Sequence, residues 1–363
     1  MTPTLAERVL AGEPRAIARA ISLIEDENPA SVDLVRRIFA GTGRAYLIGV
    51  TGPPGAGKST LVDRLVTAIR TPSPHGSTGS PRTATLSPSK GADSACPTVG
   101  VIAVDPTSPF SGGAVLGDRL RMQTHSADAG VFIRSMATRG HLGGLARASG
   151  DAALVLDAAG KEIVIIETVG VGQDEVDIIR TADVSIVTLV PGTGDDVQAL
   201  KAGIMEIADI FVVNKADREG ADRLVSSVET NLALHAYAGG EWRPPIVKTV
   251  ATTGAGIPEL VEAIAAFRAH SAGLQAARRK TRSEYRLREL ISHRFMEHLE
   301  RDVLDAGELG ALVDRIAARE LDPYTAANEL LGRALQSSPD HQSPDRQLPN
   351  QSPDSPIPRF PNR

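Results

Sequence analysis

The segment Gly52-Pro53-Pro54-Gly55-Ala56-Gly57-Lys58-Ser59-Thr60 fits the spacing G-x-x-x-x-G-K-[ST], and its residue types suit one chemistry. Glycines let a short loop wrap tightly, so that successive backbone N–H groups and the start of the next helix surround phosphate oxygens. Lys58 can reach β- and γ-phosphates, and the Ser59 hydroxyl can ligate Mg²⁺. A lysine at a helix start is expected to stay partly exposed. Downstream, Asn214-Lys215-Ala216-Asp217 follows the apolar run IFVVN. There the Asp217 carboxylate can accept from the N1–H and 2-amino groups of guanine, while Asn214 braces the loop and meets the ring edge. The Lys215 stem can lie against the base. Adenine lacks both donors and would leave that carboxylate unpaired, a mismatch that discriminates strongly.

Two acidic residues lie between these motifs. Asp105 ends the run VIAVD and Glu167 ends IVIIE. Carboxylates at the carboxyl ends of central parallel strands point into the crevice where ligands bind. Asp105 and Glu167 are therefore candidate Mg²⁺ partners, direct or through water, and with Lys58 they are the catalytic candidates. The Gly170 amide, in Glu167-Thr168-Val169-Gly170, is placed to sense the γ-phosphate.

These residues need a scaffold, and the chain around them supplies a pattern for one. From Ala45 to about His270 the runs AYLIGV, VGVIAV, VFIR, IVIIE, VSIVTLV, IFVVN and PIVKTV alternate with helical patterns. Near-continuous apolar strands separated by helices predict an α/β fold with a mainly parallel sheet covered on both faces. Residues 4–40 predict two or three short helices, with Ile17, Ala20, Ile21 and Ile24 at i, i+3, i+4, i+7. After Ala272 the pattern is helical only. Leu287, Leu290, Ile291, Phe295, Leu299 and Val303 mark one face of a long helix, and shorter helices are expected near 307–319 and 323–335. The Arg and Glu clusters of 278–301 read as a solvated face.

Composition narrows the class. Aromatics are 3% of 363 residues against 42% hydrophobic, so the core must be aliphatic. A net charge of -5 argues against a nucleic-acid binder held by phosphate neutralisation. A single cysteine, Cys96, excludes intramolecular disulfides and zinc sites built from cysteines. No apolar run reaches the roughly 18–20 residues of a membrane span. The start MTPTLAERVLAGEPR has early acidic residues and no apolar signal core, so a cytoplasmic location is expected. Residues 71–98 and 337–363, rich in Pro, Ser, Thr and Gly or repeating Ser-Pro-Asp, are predicted to be disordered, the first as a tolerated insertion. The predicted organisation is a helical segment 1–43, a phosphate-loop domain 44–271, a helical arm 272–336 and a tail 337–363.

The combination GPPGAGKST, VIAVDPTSPFSGGAVLGDRLRM, RSMATRGHLGGLARA, IIETVGVGQDEVDI, LVPGTGDDVQALKAGIMEIAD and NKAD resembles the MeaB/ArgK GTPases. The likeness runs from about residue 5 to 336. It implies a P-loop NTPase fold of the SIMIBI branch, GTP and GDP as ligands with Mg²⁺, and a homodimer built through the C-terminal helical arm. It also implies a chaperone role for an adenosylcobalamin-dependent acyl-CoA mutase, usually methylmalonyl-CoA mutase, with GTP turnover gating cofactor loading and protecting or rescuing the mutase. On this likeness 106–119 is the first switch and 167–173 the second. Residues 190–203, with Asp195, Asp196 and Lys201, form a further loop that signals to the mutase. The base-covering S-A-x segment falls on Val250-Ala251-Thr252, where valine replaces the serine and the backbone amides must serve.

Other features separate rival roles. Gln173 does not directly follow Gly170, so the water-positioning glutamine is out of its usual place, and slow, partner-stimulated hydrolysis is expected. His141 reads as a helix-entry histidine. The cobalamin signature Asp-x-His-x-x-Gly is absent, which makes this chain the helper and not the mutase. A nickel metallochaperone would need Cys and His clusters that eight scattered histidines and one cysteine do not supply. A transport-linked kinase or ATPase for basic amino acids would normally use ATP, so base preference separates it from a GTPase. A nucleotide-binding scaffold without turnover is separated by phosphate release.

Overall fold

All seven apolar runs form strands: β1 Tyr46–Thr51, β2 Val99–Asp105, β3 Val131–Ala137, β4 Ile163–Glu167, β5 Val184–Leu189, β6 Ile210–Asn214 and β7 Ile246–Thr249. The computed structural model describes residues 2–71, 96–105, 123–137, 144–168, 182–192 and 204–336. The strands make one sheet of order β3-β2-β4-β1-β5-β6-β7, with every neighbouring pair parallel. A parallel sheet is covered on both faces, which is why its strands read as continuous apolar runs. Indeed β4, β5 and β6 are buried at every position.

The order reverses at β1. From β1 the chain runs outward to β2 and β3, returns to β4, and then crosses to β5, β6 and β7 on the other side. Such a reversal opens a crevice at the carboxyl ends of the strands, where ligands bind in sheets of this kind.

The helices of the first part are α1 Leu5–Leu10, α2 Pro14–Glu25, α3 Ala30–Ile38, α4 Lys58–Arg70, α5 Gly144–Ala158, α6 Ile204–Ile207, α7 Ala221–Ala233 and α8 Ile257–His270. Alternate strand residues serve opposite faces. Ile48, Val50, Ile165, Ile186 and Val212 pack with α4 and α8. Ile102, Val104, Val164 and Ile166 pack with α1–α3 and α5. Val187, Leu189, Phe211 and Val213 pack with α7. The periodic residues Ile17, Ala20, Ile21 and Ile24 are all buried, so the N-terminal helices share a core with the sheet. Phe211 and Phe267 are the aromatic members of the largest fully buried side chains, and most of the others are Ile or Leu.

Long-range polar contacts fix the strand ends. The buried Asp157 carboxylate of α5 accepts from the amides of Gly43, Arg44 and Ala45 as the chain enters β1. At the amino end of the sheet Asp183 accepts from Leu47 N and Asp209 from Ser185 N, both at 2.9 Å. Burial pushes the Asp209 carboxyl up from its ordinary value. Arg282 donates to Asp183 at 2.6 Å and Arg278 to Asp209 at 3.4 Å. These two arginines, expected on a solvated face, are thus held by the sheet's own caps.

Arg70, at the end of α4, makes a fork onto Asp128 with both bonds at 2.8 Å and donates to the carbonyls of Cys96 and Pro97 at 3.0 Å. Its hydrogen bonding holds the Asp128 carboxyl below the ordinary value. Cys96 is buried, so residues 96–98 of the expected insertion belong to the packed structure. Residues 72–95 and 337–363 lie outside the described residues.

The chain divides into two compact units, Met1–Arg282 and Ser283–Arg363. The long predicted helix is α9, Gln275–His298, followed by α10 Glu308–Ala317 and α11 Pro323–Gln336. Within the second unit Arg333 of α11 pairs with Glu308 and donates to the Val303 carbonyl at 2.5 Å. Leu299, Leu312, Ala326 and Ala334 are buried there.

Replacing Asp157 with alanine leaves three inward amides without their acceptor. A hydrogen bond to a charged group contributes roughly 1.5–3 kcal/mol. Asp157→Ala should therefore lower urea or thermal stability by about 3 kcal/mol, and Asp157→Asn, which keeps one acceptor oxygen, by less. Unfolding midpoints equal to those of the parent protein would contradict this account of how β1 is entered.

Candidate functional site

The phosphate loop leaves β1 at the point where the sheet order reverses. Gly52 has φ 145, and a Cβ there would lie 2.0 Å from the Thr188 carbonyl oxygen of β5. Only glycine allows the chain to pass that close. Gly57, at φ 82, caps α4, and a Cβ on it would meet Asn214 Nδ2 at 2.6 Å. Ala56 is fully buried between them, while Pro54 and Gly55 face solvent.

Lys58 and Ser59 open α4 and are both buried. Lys58 is 6% exposed, in contrast to the partly exposed lysine expected. Its Nζ donates to the Gly52 carbonyl at 2.8 Å and to Pro53 at 3.1 Å. The ammonium therefore lies inside the loop's own curve. Ser59 Oγ donates to Glu167 Oε1 at 2.6 Å. Glu167 is buried because β4 neighbours β1, with Val50 in register opposite it. Thr168 follows, its amide donating to Val50 O and its hydroxyl to Thr51 Oγ1. Thr60 is half-buried on the same helix turn.

Asn214 ends β6 and is 1% exposed. Its Nδ2 donates to the Ala56 carbonyl at 2.8 Å, while its Oδ1 accepts from Ala251 N and Thr249 Oγ1, both at 3.1 Å. One side chain thus bridges the phosphate loop and the 250–252 segment. Lys215, in the left-handed region at φ 57, donates to the Gly55 carbonyl at 2.7 Å. Asp217 is exposed. Val250 is half-buried, and its amide bonds Ala255 O to close the turn after β7.

A residue that sequence reasoning missed also meets this turn. Arg64 of α4 donates through Nε to Ala251 O at 3.1 Å and through Nη2 to Thr252 O at 2.9 Å. In sequence it is one arginine on an amphipathic helix, and no spacing signal marks it.

Asp105 ends β2, where Ala103 is in register with Glu167, but its side chain lies outside the described residues. So do Gly170, His141, Gln173, the 106–119 stretch, most of 167–173, and 193–203 with Asp195, Asp196 and Lys201. Among the described residues no group of three His, Cys, Asp or Glu side chains could hold a metal. A hydroxyl and a carboxylate in contact nevertheless fit Mg²⁺, which usually takes one or two protein oxygens and completes its shell with phosphates and water. No helix among the described residues is long and apolar enough to cross a membrane.

Comparison with known proteins finds relatives that match most of this chain. The family model described as methylmalonyl Co-A mutase-associated GTPase MeaB matches residues 17–75 and 88–303. A Pyrococcus abyssi protein whose name provisionally assigns it as a GTPase is 47% identical over 335 residues, covering 91% of this chain and 96% of that one. The mouse protein named methylmalonic aciduria type A homolog, mitochondrial, is 30% identical, covering 88% of this chain and 76% of that one. The crystal structure of an LAO/AO transport system kinase matches at TM-score 0.63 and 28% identity, covering 90% and 95% of the two chains. With the family model matched over most of the sequence and a relative 47% identical along 91% of it, the chain belongs to the MeaB family of mutase-associated GTPases.

Proposed function

We propose that this chain binds GTP and hydrolyses it slowly to GDP and phosphate, and that the turnover chaperones an adenosylcobalamin-dependent acyl-CoA mutase, methylmalonyl-CoA mutase being the first candidate. The observation that carries the nucleotide reading is Asn214, bonded at once to Ala56 of the phosphate loop and Ala251 of the base turn. On this reading the bridge would set base and phosphate sites at a fixed separation, and Asp217, three residues further along the same loop, would accept from guanine. Lys58 can turn from the loop carbonyls to β- and γ-phosphate oxygens. Ser59 and Glu167, with Asp105, would hold Mg²⁺, which neutralises phosphate charge when bound. The mutase reading draws on the family description.

A second reading, an ATP-using kinase linked to transport, draws on the name of the solved relative. The Asn214–Asp217 strand end favours GTP over it.

A homodimer is part of the proposal. Along α9 no residue is buried, and Leu287 and Ile291 are 57% and 59% exposed. Leu309, Val313, Leu331 and Leu335 add further exposed apolar surface in the same unit. A patch of this kind normally marks an interface.

Lys58→Ala should abolish triphosphate binding or turnover in a folded protein, as read by equilibrium binding and phosphate release. Normal affinity with unchanged hydrolysis would reject the phosphate-loop role. For the base, Asp217→Asn should weaken GTP and favour xanthosine triphosphate, whose 2-oxo group needs a donor where guanine supplied one. A mutant that holds GTP as tightly as the parent would reject Asp217 as the base reader. For the partner, Ile291→Asp with Phe295→Asp should give a monomer that still binds GTP and loses mutase-stimulated hydrolysis. Light scattering that still reports a dimer rejects the interface, and a parent protein indifferent to the mutase rejects the chaperone role.

A further inference from the structure

We propose that Arg64 is a positioning residue for base recognition, acting as a strut from the phosphate-binding helix to the turn that covers the base. The proposal rests on the guanine reading above and deepens it.

The turn after β7 has to present backbone donors in a fixed direction. Several bonds hold it. Val250 and Ala255 close it as an antiparallel bridge. The Ala251 amide is taken by Asn214 Oδ1. The Thr253 and Gly254 amides bond Val250 O within the turn, and from the flank of α4 the Arg64 fork reaches Ala251 O and Thr252 O.

Those two carbonyls belong to consecutive peptide planes. In a trans peptide the C=O and N–H point in opposite directions. Drawing Ala251 O toward α4 therefore turns the Thr252 N–H away from α4. Among the described residues nothing accepts from that N–H, whereas the Thr253 and Gly254 amides both bond Val250 O. Thr252 N–H is thus a donor whose direction is set by Arg64 and which the turn itself does not use. Valine at position 250 supplies no hydroxyl to steady the same backbone, so the guanidinium carries more of that task than it would beside a serine.

The fork also has a planar geometry that one lysine donor cannot reproduce. Arg64 lies on the same helix as Lys58 and Ser59, so base and phosphate contacts move as one body. Losing the strut frees the turn while leaving the phosphate loop intact.

The test uses the full chain with Mg²⁺ and compares GDP, GTP, ATP and inorganic tripolyphosphate by equilibrium binding. Arg64→Ala should weaken GDP and GTP by about tenfold, the loss of roughly one hydrogen bond to a charged group. The GTP-over-ATP ratio should fall by the same factor, tripolyphosphate affinity should not change, and Arg64→Lys should fall between. Guanine nucleotides bound by Arg64→Ala as tightly as by the parent would overturn the proposal. An equal loss for guanine nucleotides and tripolyphosphate would also overturn it, by showing a general disturbance of α4. A parent protein that binds ATP as well as GTP would instead remove the guanine reading, and with it the basis for the strut.

Discussion

The site depends on one close approach, that of Gly52 to the carbonyl of Thr188. A methyl group in place of the glycine hydrogen would stand 2.0 Å from that oxygen, so any side chain must part β1 from β5 or bend the loop away. Because the pair lies where the strand order reverses, the loop enters the crevice at the centre of the sheet and not at an edge. Everything that later converges on it, from β4, β6 and β7, is reached across neighbouring strands of fixed spacing.

What converges is polar and almost entirely out of water. Lys58, Ser59, Glu167 and Asn214 are each under 9% exposed. Such groups are tolerable in an interior only when hydrogen-bonded, and a connected set resists local rearrangement better than separate pairs. Here the bonds run from the loop carbonyls through Asn214 to the 250–252 turn, and through Ser59 to the end of β4. The cost of burying the polar groups is offset by bonds that also fix their directions, so the groups are held in place before anything binds.

Most of the sheet was legible in the sequence because parallel strands need apolar side chains on both faces, and each of the seven runs became a strand. The loop between β1 and α4 and the end of β6 at Asn214 were legible because their sequence patterns are local: loop, helix start and strand end lie within a few residues. The contacts that fix the architecture were not. Asp157 caps an entrance more than a hundred residues earlier, and Arg64 meets a turn still further away downstream. Such pairs depend on topology, and single residues of common type carry no spacing that betrays them. Arg278 and Arg282 looked solvated for the same reason, since the partners Asp183 and Asp209 arrive only when β1, β5 and β6 align. Lys58 was expected to be partly exposed because helix starts usually are, and the curl of the loop around its ammonium buries it.

Arg70 carries a consequence for the connection between α4 and β2. By gripping Asp128 and the carbonyls of Cys96 and Pro97, it holds the departure of the chain after α4 next to its return into β2. With both ends pinned, the closure entropy of whatever joins them grows only logarithmically, about 0.6 kcal/mol for each doubling of length. The gap in the family match, between residues 75 and 88, falls inside this span. The clasp therefore makes the α4–β2 connection a port where evolution, or a designer grafting a tag or reporter, can lengthen the polypeptide while the sheet bears almost none of the thermodynamic load.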